Sequence, residues 1–266
     1  MREEEFRIRL NTNKSATIFG LNVKQLTLDE VMDEIGYDKF KQVRDFVNLD
    51  ISSFNKELAN SIEECMFDIK EHLIINYPDT HYEMTFDLFD LCLYIPFIKS
   101  MLIEFIEMFT TCRDVIVNHM EVVDEMTILY TQGNGFESLT LTRDNFIEFI
   151  DLFSILNFTV RVDRNRANDS ESVKEFDKKA NDIKEKYGFK SKQEVTLESI
   201  TSALIDSDNP NYTHESIGGK TIYQIMNSFN RMCKIKDNEF MNLVRVNATK
   251  IDNNDVRANM WYYNLY

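Results

Sequence analysis

FDLFDLCLYIPFIKSMLIEFIEMFTTCRDVIVNHMEVVDEMTILYTQGNGFESLTL, residues Phe86–Leu141, changes its hydrophobic period midway. Up to about Thr111 the apolar residues recur at helical spacing, and Pro96 predicts a kink or split because it lacks an amide proton. From Val115 the pattern is β-favouring: Val115–Val117, Thr127–Tyr130 and Ser138–Leu141 read as strands. The last two flank Gln132-Gly133-Asn134-Gly135, and the Asn-Gly pair is a hairpin signal. Thr142 then caps a helix carrying Phe146, Phe149, Ile150 and Phe153 on one side. The apolar helical half predicts the buried centre of the N-terminal part.

Working outward, Glu5–Leu10 and Ile18–Val23 alternate apolar and polar residues, which suits two short paired strands. Thr27-Leu28-Asp29-Glu30 spells a capping box that opens a helix ended by Gly36. A second helix, about Tyr37–Val47, presents Phe40, Val43 and Phe46 to the interior. Asp50 or Ser52 caps a longer one whose stripe is Phe54, Leu58, Ile62, Cys65, Met66, Ile69 and Leu73. Toward the other end, residues 161–193 are polar and charged, a linker or solvated helix. Thr196 precedes the helical pattern Leu197, Ile200, Ala203 and Leu204, and turn residues fill 206–219. The fold class is α+β, predominantly α-helical with a small antiparallel β component. Its expected organisation is a globular part over 1–160, the charged stretch 161–193, and a helical module over 194–266.

With 43% hydrophobic residues, twenty Phe and eleven Tyr, the 266-residue chain can bury a sizeable core. No stretch carries eighteen uncharged apolar residues, so no membrane span is expected. The start MREEEFRIRL has no apolar signal core. Cys65, Cys92, Cys112 and Cys233 are scattered, as buried free thiols of a reducing compartment would be. The Asn-x-Thr sites at Asn157, Asn211 and Asn247 then carry no glycan. The net charge of −15 is uneven: Thr27–Asp151 holds twenty-six acidic and eight basic residues, whereas Thr221–Tyr266 holds four and six. Such a balance repels nucleic acid and suits either a soluble surface or a basic protein partner.

Motifs for chemistry are sparse. Gly219-Lys220-Thr221 evokes a phosphate loop, but His214 stands where its leading glycine belongs, so a turn is expected. Asp68 and His72 lie four apart on one helix face, half of what a carboxylate-bridged metal pair needs. His81, His119 and His214 have no spacing relation to a cysteine. No nucleophile elbow, Ser–His–Asp order or Cys-x-x-Cys occurs. The expectation is a non-enzymatic protein with no catalytic residue, no metal and no cofactor.

The C-terminal forty-six residues read as an apolar-periodic helix, a second short helix, a polar turn and an aromatic end. Thr221-Ile222-Tyr223-Gln224, Phe229, Arg231, Ala248 and Trp261 occur there in an order that resembles tail-assembly proteins of phages infecting Gram-positive bacteria. Two further stretches resemble the same family: Val23–Phe46, around Gly36-Tyr37-Asp38-Lys39-Phe40, and Leu139–Asn157. The chain departs from the family at Val246-Asn247-Ala248-Thr249, which replaces a small-residue stretch, and in its longer aromatic end. The resemblance implies a chaperone-like factor that keeps tape-measure or tail-tube protein soluble before polymerisation, in the host cytoplasm or the virion. Tyr223, Phe229, Arg231, Trp261, Tyr262 and Tyr263 are the candidate protein-interaction residues, since aromatics and Arg dominate interface hot spots. The terminal aromatics could equally pack on the chain's own core. An acidic phage inhibitor of a host or defence protein and a structural virion component are the alternatives, and the sequence does not set the oligomeric state.

Overall fold

A computed structural model describes residues 3–77, 84–119, 125–157, 196–207 and 209–247; within the last helix, side chains are described as far as Lys236. The charged stretch 161–193 therefore lies outside the described residues. By internal packing the chain divides into one unit of Met1–Arg161 with Thr221–Tyr223, and a second of Val162–Lys220 with Gln224–Tyr266. The class is α+β and mostly helical, with two small antiparallel sheets.

The first unit opens with a helix, α1 (Glu3–Asn11), where alternation predicted a strand. The alternation was coincidental. Glu3, Glu4 and Glu5 occupy the first turn, where the helix dipole favours acids, and Arg7 and Arg9 pair with Glu3 and Glu5 four residues back. Phe6 and Leu10, also four apart, make the buried stripe. The second alternating stretch does form strands: β1 (Thr17–Ile18) and β2 (Leu21–Asn22), turned through Phe19 and Gly20 at positive φ.

The Thr27 capping box closes as spelled. Thr27 N–H donates to Glu30 Oε2 at 2.8 Å and Glu30 N–H to Thr27 Oγ1 at 3.2 Å. The turn it opens widens into a π-helical stretch, Glu30–Ile35, ended by Gly36 at φ 86°. Helix α2 (Tyr37–Arg44) and the 3₁₀ turn Asp45–Asn48 bury Phe40, Val43, Phe46 and Val47. Asp50 caps only the short 3₁₀ turn Ile51–Ser53; the long helix α3 (Lys56–Asn76) takes Asn55, whose side chain accepts from Leu58 N–H at 3.0 Å. Of the predicted α3 stripe only Ile62, Met66 and Leu73 are buried, and Cys65 is exposed.

Pro96 splits the apolar segment into α4 (Leu88–Tyr94) and α5 (Pro96–Phe109), with proline in the first turn of α5, where its missing N–H costs nothing. A three-stranded meander follows: β3 (Arg113–His119), β4 (Glu125–Gln132) and β5 (Gly135–Thr142), in the order β3-β4-β5. Its β4–β5 register closes on Gln132↔Gly135, so the turn residues are Gly133 and Asn134 rather than the Asn134-Gly135 pair. Only Gly133 has positive φ, which fits a II′ turn with glycine at its first central position. Val115, Val117, Met126, Ile128, Tyr130 and Leu141 alternate onto the buried face. Helix α6 (Arg143–Asn157) comes directly after β5 and buries Phe146, Phe149, Ile150 and Phe153.

The core of this unit is a relay of phenylalanine rings. Phe40 meets Phe109, Phe109 meets Phe105, Phe105 meets Phe153, then Phe149, Phe146 and Phe89 follow, with centroid separations of 4.9–6.2 Å. Most contacts are edge-to-face, the arrangement the ring quadrupole prefers. In the second unit, α7 (Leu197–Ile205) is capped by the Thr196 side chain on Ser199 N–H and buries Leu197, Ile200 and Leu204. Helix α8 (Ile222–Asn247) runs unbroken for twenty-six residues, and the remainder of the expected C-terminal pattern, 248–266, lies outside the described residues. Thr221 and the first two helical residues, Ile222 and Tyr223, belong to the first unit. Thr221 bridges Thr27, and Ile222 N–H donates to Leu26 O at 2.9 Å.

Candidate functional site

On α8 the buried positions Ile225, Phe229 and Cys233 fall at helical spacing, and Arg231, Lys234 and Ile235 lie exposed on another face of the same helix. The structure thus divides the predicted interaction residues. Tyr223 and Phe229 are only 4% and 3% exposed, so their rings serve the chain's own interior. Arg231 is exposed and shares its face with Lys234 and Ile235, a basic and apolar stripe on a chain of net charge −15. Trp261, Tyr262 and Tyr263 lie outside the described residues.

The turns before α8 are locally built. Thr213 and Ser216 exchange hydrogen bonds, Thr213 N–H to Ser216 Oγ at 2.9 Å and Ser216 N–H to Thr213 Oγ1 at 3.2 Å. Tyr212 Oη lies 2.5 Å from Ser228 Oγ, and the Lys220 ammonium stands 5.9 Å from the Tyr212 ring centroid. Lys220 is therefore engaged with an aromatic face, and Lys220 N–H closes a turn on Ile217 O. Gly219-Lys220-Thr221 is that turn and not a phosphate cradle.

Among the described residues, a buried polar cluster in the first unit was missed by sequence reasoning. Arg143, at the start of α6, donates from Nη1 to Asp87 Oδ2 at 2.6 Å and from Nη2 to Asp90 Oδ1 at 2.5 Å. Asp90, 0% exposed, also accepts from the N–H groups of Thr85 and Phe86, each at 2.8 Å, on Oδ2. The guanidinium lies 5.1 Å from the Phe89 ring, where the phenylalanine relay ends. Burial raises the Asp90 carboxyl above the ordinary value, and the Arg143 hydrogen bond only partly offsets it. Phe86, held by those bonds at φ 59°, packs its ring 5.0 Å from Phe67 of α3. Both Asp90 oxygens accept hydrogen bonds, so the cluster is a staple joining the α4 entry to α6. No sequence signal marks it, because Arg143 and Asp90 are fifty-three positions apart.

The other candidates are equally committed. His72 Nδ1 contacts Asn76 Nδ2 at 2.8 Å rather than pairing with Asp68. His119 lies edge-on to Tyr94 with Lys99 Nζ 3.3 Å from its Nδ1. Burial drives the Cys92 thiol well above its ordinary range and raises Cys112 and Cys233, which disfavours their thiolates. Among the described residues no group of three or more His, Cys, Asp or Glu could hold a metal ion, and no helix is long and apolar enough to cross a membrane. A cavity of about 10 Å³ in the first unit, with Gln25 Oε1 and Asn157 Nδ2 as hydrogen-bonding atoms lacking protein partners, is of a size for one water. A groove of about 420 Å³ along Lys24, Glu34, Lys39, Glu104 and Arg113 is open and carries both signs, with Lys39 paired to Glu104 at 2.7 Å.

Residues 190–266, less than a third of the chain, match the family model described as the YomV second domain. That family is of Bacillus phage type, and the similarity links the chain to phage proteins. Neither the curated proteins nor the solved structures give a match.

Proposed function

We propose that this protein is a non-enzymatic phage tail-assembly factor, chaperone-like, that binds tape-measure or tail-tube protein before polymerisation. The observation that carries the reading is a coincidence of position. The phage-type match covers 190–266, the stretch that holds the C-terminal part of the tail-assembly resemblance and the exposed Arg231–Lys234–Ile235 stripe of α8. An apolar residue framed by two cations suits a partner helix with apolar and acidic positions on one face. The role needs no proton-transfer or metal chemistry.

The test is an affinity pull-down from phage-infected cells with tagged full-length protein, compared with Arg231→Glu/Lys234→Glu. Recovery of tape-measure or tail-tube protein, lost in the double variant, is the expected result. Recovery undiminished by the charge reversal removes the α8 face from the reading. Cutting the chain before Thr221 is a poor substitute, since Ile222 N–H bonds Leu26 O within the first unit. The −18 balance of Thr27–Asp151 favours a second reading, an acidic inhibitor seated in a basic groove of a host protein. A host factor recovered in place of tail proteins, and released by salt, makes that reading primary.

A further inference from the structure

The two edges of the three-stranded sheet are built differently. At β3 the register shifts between Arg113 and Ile116, Asp114 adopts φ 51°, and the strand packs against α5. A bulge is one of the devices that protect a sheet edge from foreign strands. Strand β5 has no bulge among the described residues, though it carries Glu137 and packs against α6. It pairs with β4 in unbroken register over all eight residues, contains neither Lys nor Pro, and is exposed at Gly135–Ser138 and Thr140.

Its hydrogen-bonding side follows from the turn. With Gln132↔Gly135 as the closing pair of a two-residue hairpin, Gly135, Glu137, Leu139 and Leu141 bond to β4. Phe136, Ser138 and Thr140 direct their N–H and C=O groups outward, away from the sheet. The outer face beside them is almost uncharged. Phe136 is 67% exposed, and Ile116, Leu129, Thr127, Thr131 and Thr140 share its side, a surface that suits the β-branched and apolar side chains of an added strand.

Charge selects the occupant. The ionisable side chains of β4 and β5 that carry charge are Glu125 and Glu137, and those exposed on the following helix α6 are Asp144, Glu148 and Asp151. The one cation among these elements, Arg143, is committed to Asp87 and Asp90. A second copy would bring the same acids against this edge, whereas a Lys- or Arg-bearing segment complements them.

We infer that β5 is a docking edge for an extended, basic segment of a partner polypeptide, which adds to the sheet as a fourth strand through Phe136, Ser138 and Thr140. The inference concerns the first unit alone and stands whether or not the α8 stripe binds a tail protein.

The test uses full-length protein and a fluorescent peptide of about ten residues that alternates lysine with valine and threonine, long enough to span β5. A twin with glutamate in place of lysine is the control. The lysine peptide is expected to bind in a salt-sensitive manner, to slow amide exchange at Phe136, Ser138 and Thr140, and to leave the glutamate twin unbound. Ser138→Pro removes an outward N–H at a position where an edge strand tolerates proline, and should weaken binding about tenfold. Wild-type exchange keeps the test independent of whether that variant folds. The inference is overturned if the lysine peptide does not bind, if the glutamate twin binds as tightly, or if binding leaves those three amides unchanged. It is equally overturned if their exchange is already slow in protein alone and quickens on dilution, which would assign the edge to a second copy.

Discussion

Replacing Arg143 with methionine tests whether the staple is a buried ion pair or an incidental surface contact. The substitution keeps most of the side chain's packing and removes the charge. Asp90 would keep its bonds from the N–H groups of Thr85 and Phe86 but would hold a 0% exposed carboxylate with no cation beside it. Breaking a buried pair from one side costs about 3–5 kcal/mol, against roughly 0–1 kcal/mol for an exposed one. The sign of the pH dependence is fixed by Asp90. Burial already raises its folded pKa, so its contribution is fullest below the unfolded value and is lost as pH rises through the folded one. Without Arg143 that pKa climbs further, and protonation relieves the defect at about 1.4 kcal/mol per unit. Urea unfolding followed by far-UV circular dichroism should show the full loss at pH 8 and a clearly smaller one at pH 5. Asp90→Asn added to Arg143→Met should recover part of the loss at pH 8 and little at pH 5. A loss below about 1 kcal/mol, or one equal at both pH values, would refute the buried-pair argument.

Three further outcomes are expected. Burial, reinforced by the Glu137 carboxylate at 3.2 Å from its hydroxyl, pushes Tyr130 up to about 12. Absorbance titration should show one tyrosine ionising there, absent in Tyr130→Phe and shifted down in Glu137→Gln; the stability it confers is present below its unfolded pKa and lost as pH approaches 12. Asn55→Ala removes the α3 cap and should cost about 1 kcal/mol, whereas Asn55→Asp should be nearly neutral in the same unfolding assay. Phe105→Ala interrupts the ring relay between Phe109 and Phe153 and should cost about 3–5 kcal/mol, with Phe105→Leu losing markedly less.

The legible parts of this fold are those decided within a few residues. Pro96 split the apolar segment because proline lacks an N–H, and Thr27 met Glu30 because both lie within one turn. The meander showed itself through runs of β-favouring residues and a glycine-containing turn. The N-terminal helix was illegible by that rule, since alternation over Glu5–Leu10 also places Phe6 and Leu10 four apart, and the Glu–Arg pairs settle the matter. The α3 cap moved from Asp50 to Asn55 because both residue types cap equally well and the intervening 3₁₀ turn has no sequence mark. At the candidate site, helical period located the α8 faces but could not say which was covered. Tyr223 and Phe229 went inward, and Arg231 stayed outside. The Asp90–Arg143 contact depends on tertiary geometry and had no local trace.

The membership of Thr221–Tyr223 in the first unit bears on how this polypeptide can be divided or inherited. The chain passes from one unit to the other, returns for three residues, and leaves again within a single helix. A protease cut within 161–193 would sever the backbone without yielding two self-sufficient halves, because the C-terminal fragment would retain residues that complete its neighbour's packing. The two fragments should therefore co-purify under native conditions. The same interleaving places Thr221–Tyr223, inside the matched stretch 190–266, in the first unit. A graft of that stretch onto an unrelated protein would carry along a triplet, Thr221-Ile222-Tyr223, shaped for a surface left behind.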